Sequence, residues 1–265
     1  MTAPANSTTT NSGARTYTWG DDSFPSVTTL LGDGVPKKAL TYWAANQVSQ
    51  YVVDNYDFVG EMLLQPNGKR LAYDTLKSAP WRMRDNAAAR GTNLHDYADA
   101  WAQGLPLPEV PPENEALVRS LLLFLDEWQP EIVRSEFTVF NKRYGYAGTG
   151  DVLANVAGHG LVLADYKTAK KGRQGHGIYP ETALQLNAYA AGEFIGMPNG
   201  TEEPMPEVDT LLAVNIRADG YTVVPCEKSE RAFRAFLYAM QVARFTKDGK
   251  DFVGDALAPP IRDAA

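Results

Sequence analysis

The stretch GTGDVLANVAGHGLVLADYKT, residues 148 to 168, decides how this chain is read. Its alternation predicts two antiparallel strands, YAGTGDVLANV (146 to 156) and LVLADYKT (161 to 168), joined by a turn at Ala157-Gly158-His159-Gly160. In the second strand Leu161, Leu163, Asp165 and Lys167 fall on one face and Val162, Ala164 and Tyr166 on the other. Both faces are apolar at first, yet the strand ends in two opposite charges. Residues two apart on a strand have Cα atoms about 6.5 to 7 Å apart, so Asp165 and Lys167 can serve one site. Asp151 approaches from the preceding strand behind Gly148 and Gly150, which let backbone or ligand come close. Two carboxylates in an apolar sheet repel each other and are costly to desolvate without a cation. A divalent metal removes that cost, and the lysine beside it can hold or deprotonate a water, or neutralise charge growing on a phosphoryl oxygen. The alternative is a buried Asp165 to Lys167 salt bridge capping the sheet edge. A second Asp-x-Lys, Asp248-Gly249-Lys250, falls in a polar turn and is given no role.

Outward from this hairpin, the chain reads as helices, three strands, a helix, two strands and a helix. Leu40, Trp43, Ala44, Val48, Tyr51 and Val52 recur at helical spacing after Pro36. A second helix is expected over Asp85 to Gln103, with Leu94, Ala98 and Trp101 as its apolar stripe and His95 and Asp99 beside it. Glu113 to Trp128 gives a third helix, and SEFTVF (135 to 140) the first strand of the sheet. After the basic loop KKGRQGHG, a helix from Pro180 to Ala191 puts Glu181, Gln185 and Tyr189 on one stripe. DTLLAVNIR and GYTVVPC straddle an Asp219-Gly220 turn, and a helix from Ser229 has Phe233, Phe236, Leu237 and Met240 as its core stripe. The division expected is a disordered tail over 1 to 18, a helical part over 19 to 130 packed on the core, a core over 131 to 250, and a tail over 251 to 265. Together 19 to 250 form one structural domain.

With 44% hydrophobic and 22% charged residues among 265, the composition is that of a soluble globular protein. No apolar run approaches the roughly 20 residues that span a bilayer, and MTAPANSTTTNSGA lacks a signal peptide's apolar core, so a cytoplasmic location is expected. Cys226 is the lone cysteine, which excludes an internal disulfide and any multi-thiolate metal site or cluster within the chain. The net charge of −7 argues against a generally sticky nucleic-acid coat, but it hides local excesses. Residues 137 to 175 hold six basic side chains (Lys142, Arg143, Lys167, Lys170, Lys171, Arg173) against two acidic ones, and 75 to 95 hold four (Lys77, Arg82, Arg84, Arg90) against one.

Gly-x-x-Asp in one strand (GTGD, 148 to 151), Asp-x-Lys-Thr ending the next (DYKT, 165 to 168) and Gln-x-x-x-Tyr in the following helix (QLNAY, 185 to 189) resemble the PD-(D/E)XK nuclease superfamily, specifically its RecB-type exonuclease branch. GTNLH (91 to 95) fits that branch's upstream histidine motif, and SVTTLL (26 to 31) with Leu40 and Trp43 is similar to phage-encoded members. The resemblance implies a restriction-endonuclease-like α/β core, a mixed central sheet flanked by helices with an N-terminal helical elaboration. It implies that Asp151, Asp165, the carbonyl of Tyr166 and His95 bind Mg²⁺ or Mn²⁺, that Lys167 is the catalytic lysine, and that Gln185 and Tyr189 position the phosphate, lysine or water. Glu136 precedes the Asp151 strand as an acidic residue does in some relatives, and is read as supporting the site rather than binding metal. Relatives with four cysteines hold an iron–sulfur cluster; this chain, with Cys226 alone, holds none.

The expected activity is metal-dependent hydrolysis of DNA phosphodiesters from an end, in phage or bacterial DNA recombination, repair or processing. Arg82, Arg84, Arg90, Lys142, Arg143, Lys170, Lys171 and Arg173 would line the strand's path. A recombinase, a single-strand-binding protein or a helicase is a possible partner, and no membrane is. Two rivals stand beside it: a non-catalytic DNA-end-binding or assembly protein on the same fold, and an iron oxygenase or other metallohydrolase built from His95 and the aspartates. An oxygenase triad takes its first histidine and carboxylate one residue apart on a strand, whereas His95 and Asp96 are adjacent on a helix.

Overall fold

The computed structural model describes residues 6–10, 13–168 and 177–257; the side chains of 84–90, 92 and 93 are not among those described. Strands β1 (Ser7–Thr9), β2 (Arg15–Trp19) and β3 (Asp22–Pro25) form an antiparallel sheet in that order. Among the described residues, strands thus stand at 7–9 and 15–18 inside the span expected to be a disordered tail, and at 22–25 inside the part expected to be helical. Tyr17 and Trp19 alternate onto one face of β2, and with Phe24 they close over Phe140 and Phe194. Burial of these rings offsets the entropy of ordering an otherwise polar segment.

Ser26 accepts a hydrogen bond from the Thr29 N–H and so caps α1 (Val27–Gly34). Next come α2 (Lys38–Asp54), α3 (Tyr56–Leu63) and α4 (Gly68–Ala102), which starts well before the expected Asp85 and runs through Pro80. Helices α2 and α3 pack chiefly on α4 and less on each other, as an arm. The apolar stripe from Leu40 to Val52 therefore has only slender helices to face, and α2 buries none of its residues. A 3-10 turn (Pro112–Asn114) leads into α5 (Glu115–Trp128).

The central sheet comprises β4 (Glu131–Asn141), β5 (Tyr146–Val156), β6 (Gly160–Thr168), β7 (Phe194–Gly196), β8 (Glu202–Pro204), β9 (Thr210–Arg217) and β10 (Gly220–Cys226). Its order is β10-β9-β6-β5-β4-β7-β8, with β6 and β9 parallel and the other pairs antiparallel. A parallel pair needs a crossover, supplied here in part by α6 (Glu181–Ala190). Helix α7 (Glu230–Asp248), capped by Ser229, and a 3-10 turn (Gly249–Phe252) follow β10. This is a mixed α/β fold, a seven-stranded mixed sheet flanked by helices, consistent with the restriction-endonuclease-like core.

The alternation expected for β6 holds. Leu161 and Leu163 join the core under α1, α6 and α7, whereas Val162, Ala164 and Tyr166 join the core under α4 and α5. The β5–β6 turn uses Gly158 at φ 77°, a left-handed conformation open to glycine at little cost. Strand β5 is less regular. Val152 and Ala154 face the α4–α5 core, yet a Cβ on the equally even-numbered Gly148 would strike Tyr189 of the opposite core. The changeover lies where the ladders break. Val152 pairs with Ala164, but the pairing of β5 with β6 stops there, so the two strands part at Asp151 and Asp165. No helix among the described residues is long and apolar enough to cross a membrane.

Candidate active site

The site occupies the gap between the parting strands. A cavity of about 280 Å³ opens there, lined by His95, Glu136, Asp151, Asp165, Lys167, Gln185 and Tyr189, with Arg15, Tyr17 and Thr28 on the N-terminal side. Helix α4 brings His95 from one face of the sheet and α6 brings Gln185 and Tyr189 from the other, so the split gives both layers access to the same space.

Asp151 repairs part of the broken ladder with its side chain: its Oδ2 accepts the Tyr166 N–H at 2.7 Å. Its Oδ1 lies 3.5 Å from His95 Nδ1, and Glu136 Oε1 lies 3.5 Å from the same nitrogen. His95 Nε2 is 3.2 Å from the Tyr166 carbonyl oxygen. One ligand atom from each of His95, Glu136 and Asp151 falls within 4.8 Å of the others, so this group could hold a metal ion.

Glu136 is the residue whose importance sequence reasoning underrated. It sits in β4 at φ 46°, in the left-handed region, where a residue with a Cβ carries strain. A bulge between Ile132 and Arg134 precedes it, and Ser135 and Phe137 pair with Val152 and Gly150 on either side of Asp151. The kink aims the Glu136 carboxylate at the imidazole.

Asp165 faces the same cavity, where its Oδ1 accepts from Gln185 Nε2 at 2.6 Å and its Oδ2 forms an ion pair with Lys167. The metal-competent trio is thus His95, Glu136 and Asp151, with Asp165 beside it and not within it. The physical reason is the parting of β5 from β6, which turns the two aspartates toward different partners. An Asp165–Lys167 ion pair therefore stands beside a group that could hold a cation. Lys167 also donates to Gln185 Oε1 at 3.2 Å, and Gln185 Nε2 donates to the Tyr189 hydroxyl at 3.2 Å.

Electrostatics follow from crowding three carboxylates with one imidazole and one ammonium away from water. For His95, burial opposes the charged ring, but Asp151 and Glu136 outweigh it and hold the imidazole well above the usual histidine range. Burial would raise the Asp151 carboxyl, yet His95, Lys167 and the Tyr166 N–H pull it below its ordinary value. Burial lifts Glu136, helped by Asp151 and opposed by His95. Asp165 is pushed up to about 6, by burial first and by Asp151 besides, with Lys167 opposing. Lys167 loses to burial but gains more from Asp165 and Asp151, so it stays a cation.

The remaining sequence candidates divide. Arg82 donates to Ser78 and to the Thr75 carbonyl and lies over the Tyr51 ring, Lys142 is paired with Glu202 at 2.6 Å, and Arg143 sits over the Tyr144 ring. None of these three lines the cavity; each makes a local contact, Arg82 within the helical region and Lys142 and Arg143 at the turn between β4 and β5. Lys170, Lys171 and Arg173, and the side chains of Arg84 and Arg90, lie outside those described. Cys226 is a partly buried residue of β10 whose thiol burial pushes up, which does not suit a nucleophile.

No protein-family model matches the chain, and no curated protein does. Two solved structures show what the fold is similar to. One is the crystal structure of SSO0001, 13% identical with a TM-score of 0.32 over 74% of this chain and 75% of that one. The other is an alkaline exonuclease (LHK-Exo) from Laribacter hongkongensis, 13% identical with a TM-score of 0.30 over 63% of this chain and 88% of that one.

Proposed function

We propose that the protein is a metal-dependent deoxyribonuclease that hydrolyses phosphodiester bonds from a DNA end. The observation that carries this reading is the pairing, in one cavity, of a His95–Glu136–Asp151 cation trio with an Asp165–Lys167–Gln185 group. The donor set fits a divalent ion of the Mg²⁺ or Mn²⁺ kind: carboxylate and carbonyl oxygens with one imidazole nitrogen. The site also gathers three buried carboxylates, Glu136, Asp151 and Asp165, against one imidazole and one ammonium, and burial raises the Glu136 and Asp165 carboxyls.

His95, Glu136, Asp151 and the Tyr166 carbonyl would hold the ion, with Asp165 adding a third carboxylate to the cavity wall. When bound, the ion supplies a Lewis acid for the phosphoryl oxygen and lowers the pKa of a water. Lys167 keeps its proton next to Asp165 and presents positive charge to the phosphoryl oxygens as they gain charge. Gln185 spans Asp165 and Lys167 and fixes the ammonium, and Tyr189 in turn fixes Gln185. The motif resemblance of GTGD, DYKT, QLNAY and GTNLH supports the exonuclease class and a place in DNA recombination, repair or processing.

The test is end-labelled single- and double-stranded DNA incubated with Mg²⁺ or Mn²⁺, wild type beside Asp165→Ala. A product ladder growing from one end in the wild type alone is expected. Intact DNA in every wild-type lane contradicts the proposal.

A further inference from the structure

We infer that the exposed side of α4 between Lys69 and Trp81 is a track for single-stranded DNA leading to the site; this rests on the nuclease reading above. Lys69, Tyr73, Lys77 and Trp81 recur every four residues, about 6 Å apart along the axis, and form one slowly winding stripe of alternating cation and ring. All four are exposed, Tyr73 at 61% and Trp81 at 53%. Lys77 Nζ already lies 5.7 Å from the Tyr73 ring centre. Asp74, at the edge of the stripe, is paired with Arg70 at 3.8 Å, which leaves the lysines as the stripe's own charge.

The same helix delivers the catalytic cavity. At about 100° per residue, Gly91 and His95 fall roughly 40° and 80° around from Lys69, inside the arc that ends at Trp81 about 120° away. Both line the cavity, and α4 runs through Pro80 as one helix. From Trp81 to His95 the rise is about 21 Å. The stripe is therefore an approach to the site on its own side of the helix.

The chemistry of the stripe selects its occupant. Alternating ammonium groups and exposed flat rings match a polymer that alternates phosphates with unstacked bases. In a duplex the bases cover one another's faces, which leaves Tyr73 and Trp81 nothing to stack on. A protein-docking face would centre on apolar residues and be depleted of lysine.

Fluorescence anisotropy with a labelled single-stranded oligonucleotide in EDTA measures binding without hydrolysis. Tyr73→Ala/Trp81→Ala is expected to weaken single-strand affinity about thirtyfold or more. Tyr73→Phe/Trp81→Phe should keep it within about twofold, because phenylalanine retains a stacking face. Both variants should hydrolyse a trinucleotide, too short to reach the stripe, at the wild-type rate. Unchanged single-strand affinity in the alanine pair overturns the track, as does equal loss in the phenylalanine pair or loss of trinucleotide hydrolysis. A wild type that binds the strand through these rings but cleaves nothing with Mn²⁺ defeats the nuclease reading alone.

Discussion

Gly148→Ala tests whether the α6 layer positions the site through close contact with β5. A Cβ built on Gly148 would stand 2.4 Å from Tyr189 Cε1 and 3.3 Å from Cδ1 and Cζ, against 3.4 Å or more for ordinary contact. Tyr189 is buried at 2% exposure, so its ring has little room to swing aside and must retreat by about an ångström. Such overpacking costs about 1 to 3 kcal/mol. For a domain near this size that corresponds to a fall in Tm of roughly 2 to 12 °C. The retreat drags the Tyr189 hydroxyl from Gln185, whose amide fixes Asp165 and Lys167. Displacing a positioning group by about 1 Å costs on the order of 10²-fold in rate. Differential scanning calorimetry and single-turnover cleavage of labelled DNA read the two effects. Gly32→Ala, on an exposed helical position with nothing within 4 Å, is the control: it should leave turnover unchanged and add about 0.4 to 1 kcal/mol of stability, so its Tm should not fall. A Gly148→Ala protein with wild-type Tm and wild-type turnover refutes the reasoning, since it would mean that Tyr189 moves freely.

Three further outcomes are expected. In the metal-free protein His95 has its pKa raised, so its stabilising contribution is full below about 6.5 and is lost as pH rises through its folded value; Mn²⁺ must displace that proton, so the Tm increase given by Mn²⁺ should grow with pH over the same window, and a pH-independent increase would remove His95 from the metal shell. Glu136→Gln keeps the side chain's size but removes its charge, and should weaken Mn²⁺ binding by at least about tenfold in calorimetry, whereas an unchanged affinity would return Glu136 to a purely structural role. Lys167→Ala should abolish cleavage and leave DNA affinity near wild type; loss of both would mean that the lysine serves binding instead.

What was legible in the sequence was legible through period. The alternation in LVLADYKT placed Asp165 and Lys167 on the α6 side of β6, and the four-residue spacing of Gln185 and Tyr189 put both on the face that meets them. His95 followed from its motif and reaches the cavity. What was missed has no period to show. Glu136 is aimed by a bulge and a single left-handed residue, which local alternation cannot reveal. The divergence of β5 from β6 beyond the Val152–Ala164 pair opens a cavity that α4 and α6 both line, a tertiary fact. Tyr17 and Trp19 were diluted by the polar residues before them, and the stripe of α2 looked like a core stripe although the arm leaves it half covered. Arg15 of β2 and Thr28 of α1 line the cavity because both elements pack against β5, a contact between segments far apart in sequence.

Mn²⁺ soaked into crystals of the protein, located by anomalous scattering, addresses the metal centre without reference to activity. A peak bounded by His95, Glu136, Asp151 and the Tyr166 carbonyl oxygen is the expected result. A strong peak that touches none of His95, Glu136 and Asp151, or no peak at saturating Mn²⁺ and alkaline pH, contradicts it.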